Sequence, residues 1–416
     1  GEKTVLVSRY EIFVYHQIAK QMATGSIHIA NSVRYRPFAH ELVSLEEKRP
    51  ILDALDIPWL KAPTEEQLDL LFKELDSLWS QFNHKLKQGT LKHLKYDNNK
   101  KELIWIKPKV EKEEEGPDPE KQTIYDKLPL CNISDVLRFT DKQCGFLSAF
   151  TPLQPLYNKQ KLDDDNLMAV LVSQAMNIGH YKMAQTSDIP YHILESTYQQ
   201  YIRLSTLRKA HDIIANSIMN LSIFPHYTFD MEFLHGALDG QKYEVLTPTS
   251  KARYSRKYYK KGRGVVAYTL LSNHVPLQSE VIGSHEHESH FVFDIWYKNT
   301  SLISPTVLTG DMHSINKANF ALLHWFGAEL RPRFTNLKKE LNNIFGTLDP
   351  SHYEKFLIQP VGQINRKCIL DEKDNIDRVV ASLSLKEISQ STLIKKLCAL
   401  SPHNNTRKAV SEFDKL

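Results

Sequence analysis

GDMHSINKANFALLHWFGAELRPRF, Gly310 to Phe334, is the stretch on which the reading of this chain turns. Its middle, Ile315 to Phe326, carries apolar residues at helical spacing and is expected to be a helix. The β-forming run Thr306-Val307-Leu308 predicts a strand over Pro305 to Gly310, and Glu329 to Arg331 predicts another short strand behind the helix. Open α/β sheets gather ligand-binding groups at the C-terminal ends of their strands. Asp311 stands at such an end, although an aspartate there, taken alone, reads as a helix cap.

Upstream, Gly236 to Leu246 is expected to be a strand containing Asp239, followed by β-rich runs at Val265 to Leu271 and Pro276 to Ile282 and by a helix over Glu286 to Lys298. Three neighbouring strands suggest an antiparallel meander. The whole order, β-β-β-α-β-α-β, fits a mixed sheet with helices on its faces. If the first and fourth strands are neighbours, the carboxylates of Asp239 and Asp311 meet. A carboxylate pair of this kind can hold Mg²⁺ ions for phosphoryl transfer. Asp239-Gly240 in isolation reads as a hairpin turn; together, on matching strands, the two acids read as a metal site.

The rest of the chain is mainly helical. Tyr10 to Met22 and Glu65 to Phe82 have helical periodicity, with Ile27-His28-Ile29 extended between them. KPKVEKEEEGPDPEKQT, Lys107 to Thr123, is charged, proline-bearing and nearly free of large apolar side chains, which predicts a linker or exposed loop. Helices return from Asn132 to Phe224, including Leu167 to Met176 and Ile193 to Leu221; the last is too apolar for an isolated surface helix. Beyond Thr335 the chain reads as helix, interrupted at Phe356 to Val361 and Ser401 to Asn405. The expected regions are 1–106, helical; 107–124, linker; 125–230, helical; 231–340, the sheet-containing core; and 341–416, helical. The fold class is α+β.

Composition excludes little. The chain has 416 residues, 41% hydrophobic and 25% charged, with 53 bases against 49 acids, so any basic surface is local. It is local at KARYSRKYYKKGRG, Lys251 to Gly264, where Lys251, Arg253, Arg256, Lys257, Lys260, Lys261 and Arg263 are interleaved with Tyr254, Tyr258 and Tyr259 and no acid intervenes. Such a segment can neutralise phosphates while its rings stack on bases or sugars. Arg331 and Arg333 add a weaker basic pair. Cys131, Cys144, Cys368 and Cys398 form no metal or redox spacing, which favours free thiols in the cytoplasm, and no apolar run has the length of a membrane span. SHEHESH, Ser284 to His290, clusters His285, His287 and His290, but it is read as polar and solvated where a strand becomes a helix, not as zinc.

Several of these segments resemble, in order and spacing, the catalytic region of the replicative transposases of the Tn-three family: LDGQK at Leu238 to Lys242, GRGVVAY at Gly262 to Tyr268, GDMHS at Gly310 to Ser314 and FGAELRPRF at Phe326 to Phe334. MATGSIHIANSVRYRPF at Met22 to Phe38, MNIGHYKMA at Met176 to Ala184 and VVASLSLKEISQSTLIKKLCAL at Val379 to Leu400 extend the likeness over nearly the whole chain. The resemblance implies a ribonuclease-H-like mixed sheet and an Asp-Asp-Glu triad using Mg²⁺ or Mn²⁺. Asp239 takes the first acid's place in the family's Ser-Asp-Gly-Gln pattern, with Leu238 for the usual serine. Asp311 takes the second in Thr-Asp-Thr-His-Gly, here Gly310-Asp311-Met312-His313-Ser314.

The third acid lies, in the family, on a helix beyond the point reached at Leu416, and Glu412 reads as a surface helix residue. The chain is therefore expected to be cut from a longer protein, to lack the third catalytic glutamate and the N-terminal domains that recognise terminal repeats, and to be impaired in strand transfer. Implied partners are DNA, both transposon ends and target, and a second copy in the full-length form, with no membrane. Two other readings stay open: a metal-dependent nuclease on the same scaffold, and a non-catalytic DNA-binding or regulatory remnant.

Overall fold

The computed structural model describes residues 6–23, 27–29, 31–32, 37–106, 126–155, 162–228, 230, 232–341, 343–400 and 404–416. The expected linker at 107–124 lies outside the described residues, as do parts of the Met22 to Phe38 segment and of the loop at Ser401 to Asn405.

A small hairpin comes first, β1 (Leu94–Asp97) with β2 (Glu102–Trp105). It interrupts a region read mainly as helix. The Asp97 carboxylate accepts from the Asn99 and Lys100 backbone N–H groups at 2.9 and 3.2 Å, and this local competition turns the chain back on itself. Another helical expectation is divided: Ile193 to Leu221 forms two helices, Tyr191–Tyr201 and Leu204–Met219. Ile202 and Arg203 between them are extended; the Thr206 hydroxyl donates to the Tyr201 carbonyl at 2.8 Å, and the Arg203 guanidinium reaches Thr151.

The main sheet is built from β3 (His235–Glu244), β4 (Arg253–Tyr254), β5 (Arg263–Ser272), β6 (Val275–Gly283), β7 (Val307–Gly310) and β8 (Glu329–Leu330). β3 is central. It pairs antiparallel with β5 on one side and parallel with β7 on the other; β6 and, at its far end, β4 continue the sheet beyond β5, and β8 lies parallel to β7. The mixed sheet with flanking helices expected from the sequence is present. The antiparallel meander is β3-β5-β6, with β4 and a helical turn, Arg256–Tyr259, inserted in the basic segment.

β5 alternates strictly, with Gly264, Val266, Tyr268, Leu270 and Ser272 buried, so one face of the sheet points into the core. That face, with Leu238 and Leu308, belongs to one cluster with Val292, Phe293 and Ile295, with Ala321, Leu322 and Trp325, and with Val379, Val380 and Leu383. The helix expected over Glu286 to Lys298 is shorter, Val292–Tyr297, because residues 288–290 form a tight turn that buries the Glu288 side chain under the sheet. The helical block from Ile133 to Met219 has its own smaller clusters, and its last helix lies against β6. Among the described residues no helix is long and apolar enough to cross a membrane.

Residues before the sheet, Leu42, Ile57, Trp59 and Leu68, and after it, such as Ile376, Leu393 and Phe413, join this core. The Arg378 guanidinium donates to the Leu42 and Val43 carbonyls at 3.0 Å. Arg366 pairs with Asp69 at 2.7 Å, and the Tyr353 hydroxyl donates to Asp76 at 3.0 Å.

Candidate functional site

The parallel pairing of β3 with β7 runs from His235 opposite Val307 to Leu238 opposite Gly310. Asp239 and Asp311 are each the next residue. Side chains alternate along a strand, so Asp239 leaves the face opposite buried Leu238, the face shared by Ala237 and its partner Thr309. Neighbouring strands lie about 4.8 Å apart. Both residues are exposed, and each follows directly on the last pair of the β3–β7 ladder. Asp239-Gly240 is not a turn: it sits within β3, opposite Thr269 and Tyr268.

Asp311 does cap, but not the long helix. Its Oδ1 accepts from the His313 backbone N–H at 2.8 Å, closing the short turn Met312–Ser314. The helix proper begins later, at Lys317, and its cap is Asn316, whose side chain accepts from Ala318 N–H at 2.9 Å. The His313 ring meets Asp311 Oδ2 at 2.8 Å. Partial burial works to raise the Asp311 carboxyl, but the hydrogen bonds from the His313 ring and backbone and the His313 charge outweigh it and leave the group below its ordinary value. Each oxygen keeps a further lone pair for a cation.

A third carboxylate lies beneath the sheet. Glu288 is 9% exposed and pairs with Lys242 at 3.6 Å, and a Cβ added at Gly240 would lie 2.5 Å from its carboxylate. Gly240 is therefore glycine to leave room for Glu288. This corrects the reading of Ser284 to His290 as wholly solvated: His285 and His287 are exposed, whereas Glu288 and Ser289 are buried. The sequence signal was only the glycine after Asp239, which says nothing about which distant side chain fills the gap. Among the described residues, no three His, Cys, Asp or Glu side chains are grouped to hold a metal ion.

Glu412 also departs from its expected surface position. On the helix Asn405–Lys415 it is partly buried, accepting from the Asn365 backbone N–H at 2.9 Å and from Lys415 Nζ at 2.6 Å.

The basic segment divides by structure. β4 ties it to β5, with Arg253 opposite Gly264 and Tyr254 opposite Arg263. Tyr259 is not available for stacking: it is buried, its hydroxyl donates to the Val265 carbonyl at 3.0 Å, and its ring occupies the place a Gly264 side chain would take. Tyr254 is exposed, and the Tyr258 ring carries the Lys242 and Lys257 ammonium groups at 4.7 and 4.8 Å. Lys251 is engaged by the Val281 carbonyl and Glu280, and the Arg253 guanidinium by the Ser250 and Ala252 carbonyls. Arg256, Lys257, Lys260, Lys261 and Arg263 are exposed. Of the weaker pair, Arg331 is matched by Glu329 at 2.7 Å and lies over Phe233, while the Arg333 backbone N–H donates to the Gly310 carbonyl at 2.9 Å, which sets exposed Arg333 beside the residue preceding Asp311.

The model of the Tn3 transposase DDE domain matches residues 135–416. Across 98% of its length the chain is similar to the transposases of transposon Tn1546 from Enterococcus faecium and transposon Tn2501 from Escherichia coli, each at 24% identity, and to that of transposon Tn501 from Pseudomonas aeruginosa at 22%. It spans 40% of the length of each of these relatives.

Proposed function

Because the chain belongs to the family of the Tn3 transposase DDE domain, we propose that it works in DNA transposition, as the part of a transposase that cleaves the 3′ ends of a mobile element and joins them to target DNA. Residues 231–340 are the core of this activity, on a ribonuclease-H-like sheet. The strand order supports that fold: a central first strand, an antiparallel meander on one side and two parallel strands on the other. Asp239 and Asp311 carry the chemistry. The observation behind this reading is the parallel register that ends at Leu238 and Gly310 and brings the two acids forward together.

The two carboxylates fit a hard divalent cation, Mg²⁺ or Mn²⁺, which takes oxygen ligands and is bound by one or two protein carboxylates plus phosphate and water. A bound ion supplies electrostatic stabilisation of the phosphoryl oxygens. The chain's own residues do the rest. His313 fixes one oxygen of Asp311 and so orients the carboxylate. Arg256, Lys257, Lys260, Lys261 and Arg263, with Lys251, Arg253 and Arg333 in support, hold backbone phosphates, and Tyr254 and Tyr258 offer stacking surfaces. β3 runs five residues from Asp239 to Glu244, roughly 17 Å, so the basic segment engages DNA a few phosphates from the acids. DNA ends, target DNA and a second copy of the protein are the proposed partners.

Mn²⁺ binding followed by electron paramagnetic resonance tests the acids. The chain should bind Mn²⁺, and Asp239→Asn and Asp311→Asn should each weaken it more than about tenfold; equal affinity in all three proteins would end the proposal. The exposed bases of the basic segment also suit a second reading, DNA binding without cleavage. Its signature is DNA affinity unaffected by Mn²⁺ and by Asp239→Asn. For the basic segment, replacing Arg256, Lys257, Lys260 and Lys261 with serine should lower the slope of log affinity against log salt by roughly 3 to 4, close to one per lost phosphate contact. An unchanged slope would remove the segment from the interface.

A further inference from the structure

We infer that Tyr268 and Ser314 form a hydroxyl pair that positions Asp311 from beneath the sheet, and that Gly310 is the space this pair requires. The inference rests on the reading of Asp311 as a functional acid. Tyr268 is wholly buried on β5, opposite Gly240, and its hydroxyl lies 3.0 Å from Ser314 Oγ, also buried. The phenol thus reaches from β5 past the acid-bearing strand β3 to the turn that follows β7. Ser314 N–H donates to the Asp311 carbonyl at 3.1 Å, and the Ser314 carbonyl accepts from Asn319 Nδ2 at 3.0 Å. Asn319 also donates to the Ser289 carbonyl at 2.8 Å and is held by Gln390. The turn bearing Asp311 is therefore bound to β5 through one side chain and to the surrounding helices through its backbone.

Gly310 makes the arrangement possible. A Cβ there would stand 2.4 Å from Ser314 Oγ and 2.7 Å from Ser314 Cβ, distances that no side chain tolerates. Only one of the two positions can fill this space. A hydroxyl-bearing side chain set at position 310 therefore needs glycine at position 314, and this reciprocal exchange is the rescue the test uses.

The buried phenol is costly to leave unpaired, since no water replaces a lost partner there. Burial also raises its ionisation far above the ordinary value; the Ser314 hydrogen bond opposes this, and the negative charges of Glu288, Asp311 and Asp239 add to it. The group is a neutral hydroxyl at every working pH.

The test is amide hydrogen exchange over 310–316 without metal, together with Mn²⁺ affinity and thermal midpoint, in Tyr268→Phe, Gly310→Thr and the double variant Gly310→Thr/Ser314→Gly. Tyr268→Phe keeps the ring and removes only the hydroxyl; exchange over 310–316 should quicken about tenfold and Mn²⁺ affinity fall about tenfold, with β6 amides unchanged. Gly310→Thr should be at least as impaired, and the double variant should return towards the parent in both readouts. Unchanged exchange in Tyr268→Phe, quickened exchange with undiminished Mn²⁺ affinity, or a double variant no better than Gly310→Thr would each overturn the inference. Should Gly310→Thr not fold, the isosteric Tyr268→Phe decides. A parent chain that binds no Mn²⁺ would instead overturn the metal reading, and exchange with its rescue in the double variant would still judge the hydroxyl pair.

Discussion

Trp59→Ala should lower the unfolding free energy by about 4 kcal/mol, the loss typical of deleting a large buried aromatic ring. Trp59 is 2% exposed, and its ring lies against Trp325 with centroids 5.9 Å apart and edge-on to Phe413 at 5.4 Å. These partners come from the helix Lys317–Trp325, which follows the Asp311 turn, and from Asn405–Lys415. One indole therefore joins an N-terminal segment to the helices beneath the candidate site. Its Nε1 donates to Asp377 Oδ1 at 3.0 Å.

That hydrogen bond gives the prediction a pH signature. Burial raises the Asp377 carboxyl above its ordinary value, and the Trp59 N–H works against the rise. In Trp59→Phe, which keeps a buried ring and removes the N–H, the folded-state value goes higher still. An acid with a raised folded value loses stabilisation as pH increases from its unfolded to its folded value, so the cost of Trp59→Phe should be larger at pH 8 than at pH 4. Urea unfolding followed by circular dichroism at the two pH values measures both variants. A cost of Trp59→Ala below about 2 kcal/mol would show that the site collapses around the missing ring.

Asp414→Asn should do the opposite and stabilise the chain at pH 8, by on the order of 2 kcal/mol. The Asp414 side chain is 13% exposed, with Lys317 Nζ 3.9 Å away. Burial pushes its carboxyl up to about 6, against the pull of Lys317 and Lys415 and with a small further push from Glu340. In the unfolded chain it ionises near pH 3.9. Below that pH both states hold the proton and the substitution changes little. Between pH 4 and 6 the folded protein holds the proton more tightly, so stability falls as pH rises, and above pH 7 the deficit is complete. Asparagine removes the ionisation. The gain should open between pH 4 and 7 and then level; a gain independent of pH would assign it to something other than the buried carboxylate.

The buried alternation on β5 is plain in Val265 to Leu271, and the strand-acid-helix order around Asp311 is plain in Thr306 to Phe326, because both depend on residues two to four positions apart. The same locality explains the misses. Ile193 to Leu221 has continuous helical periodicity, yet it breaks at Arg203, whose side chain is drawn to Thr151, a residue 52 positions away. The seven bases of Lys251 to Gly264 look equivalent in one dimension. In the fold, Lys251 turns to the Val281 carbonyl and Tyr259 is consumed by packing over Gly264, while Arg256 and Lys257 face solvent.

Local order alone marked the two acids, the basic run and the mixed architecture, since periodicity, strand ends and charge spacing are written in near neighbours. The tertiary structure decided which strand lies beside which, hence that Asp239 and Asp311 advance together from paired positions, that Glu288 fills the gap at Gly240, and that Tyr268 meets Ser314. These contacts join residues 46 to 72 positions apart. Such partners are selected by the free energy of closing the whole core, to which no short stretch of chain contributes enough to be read by itself.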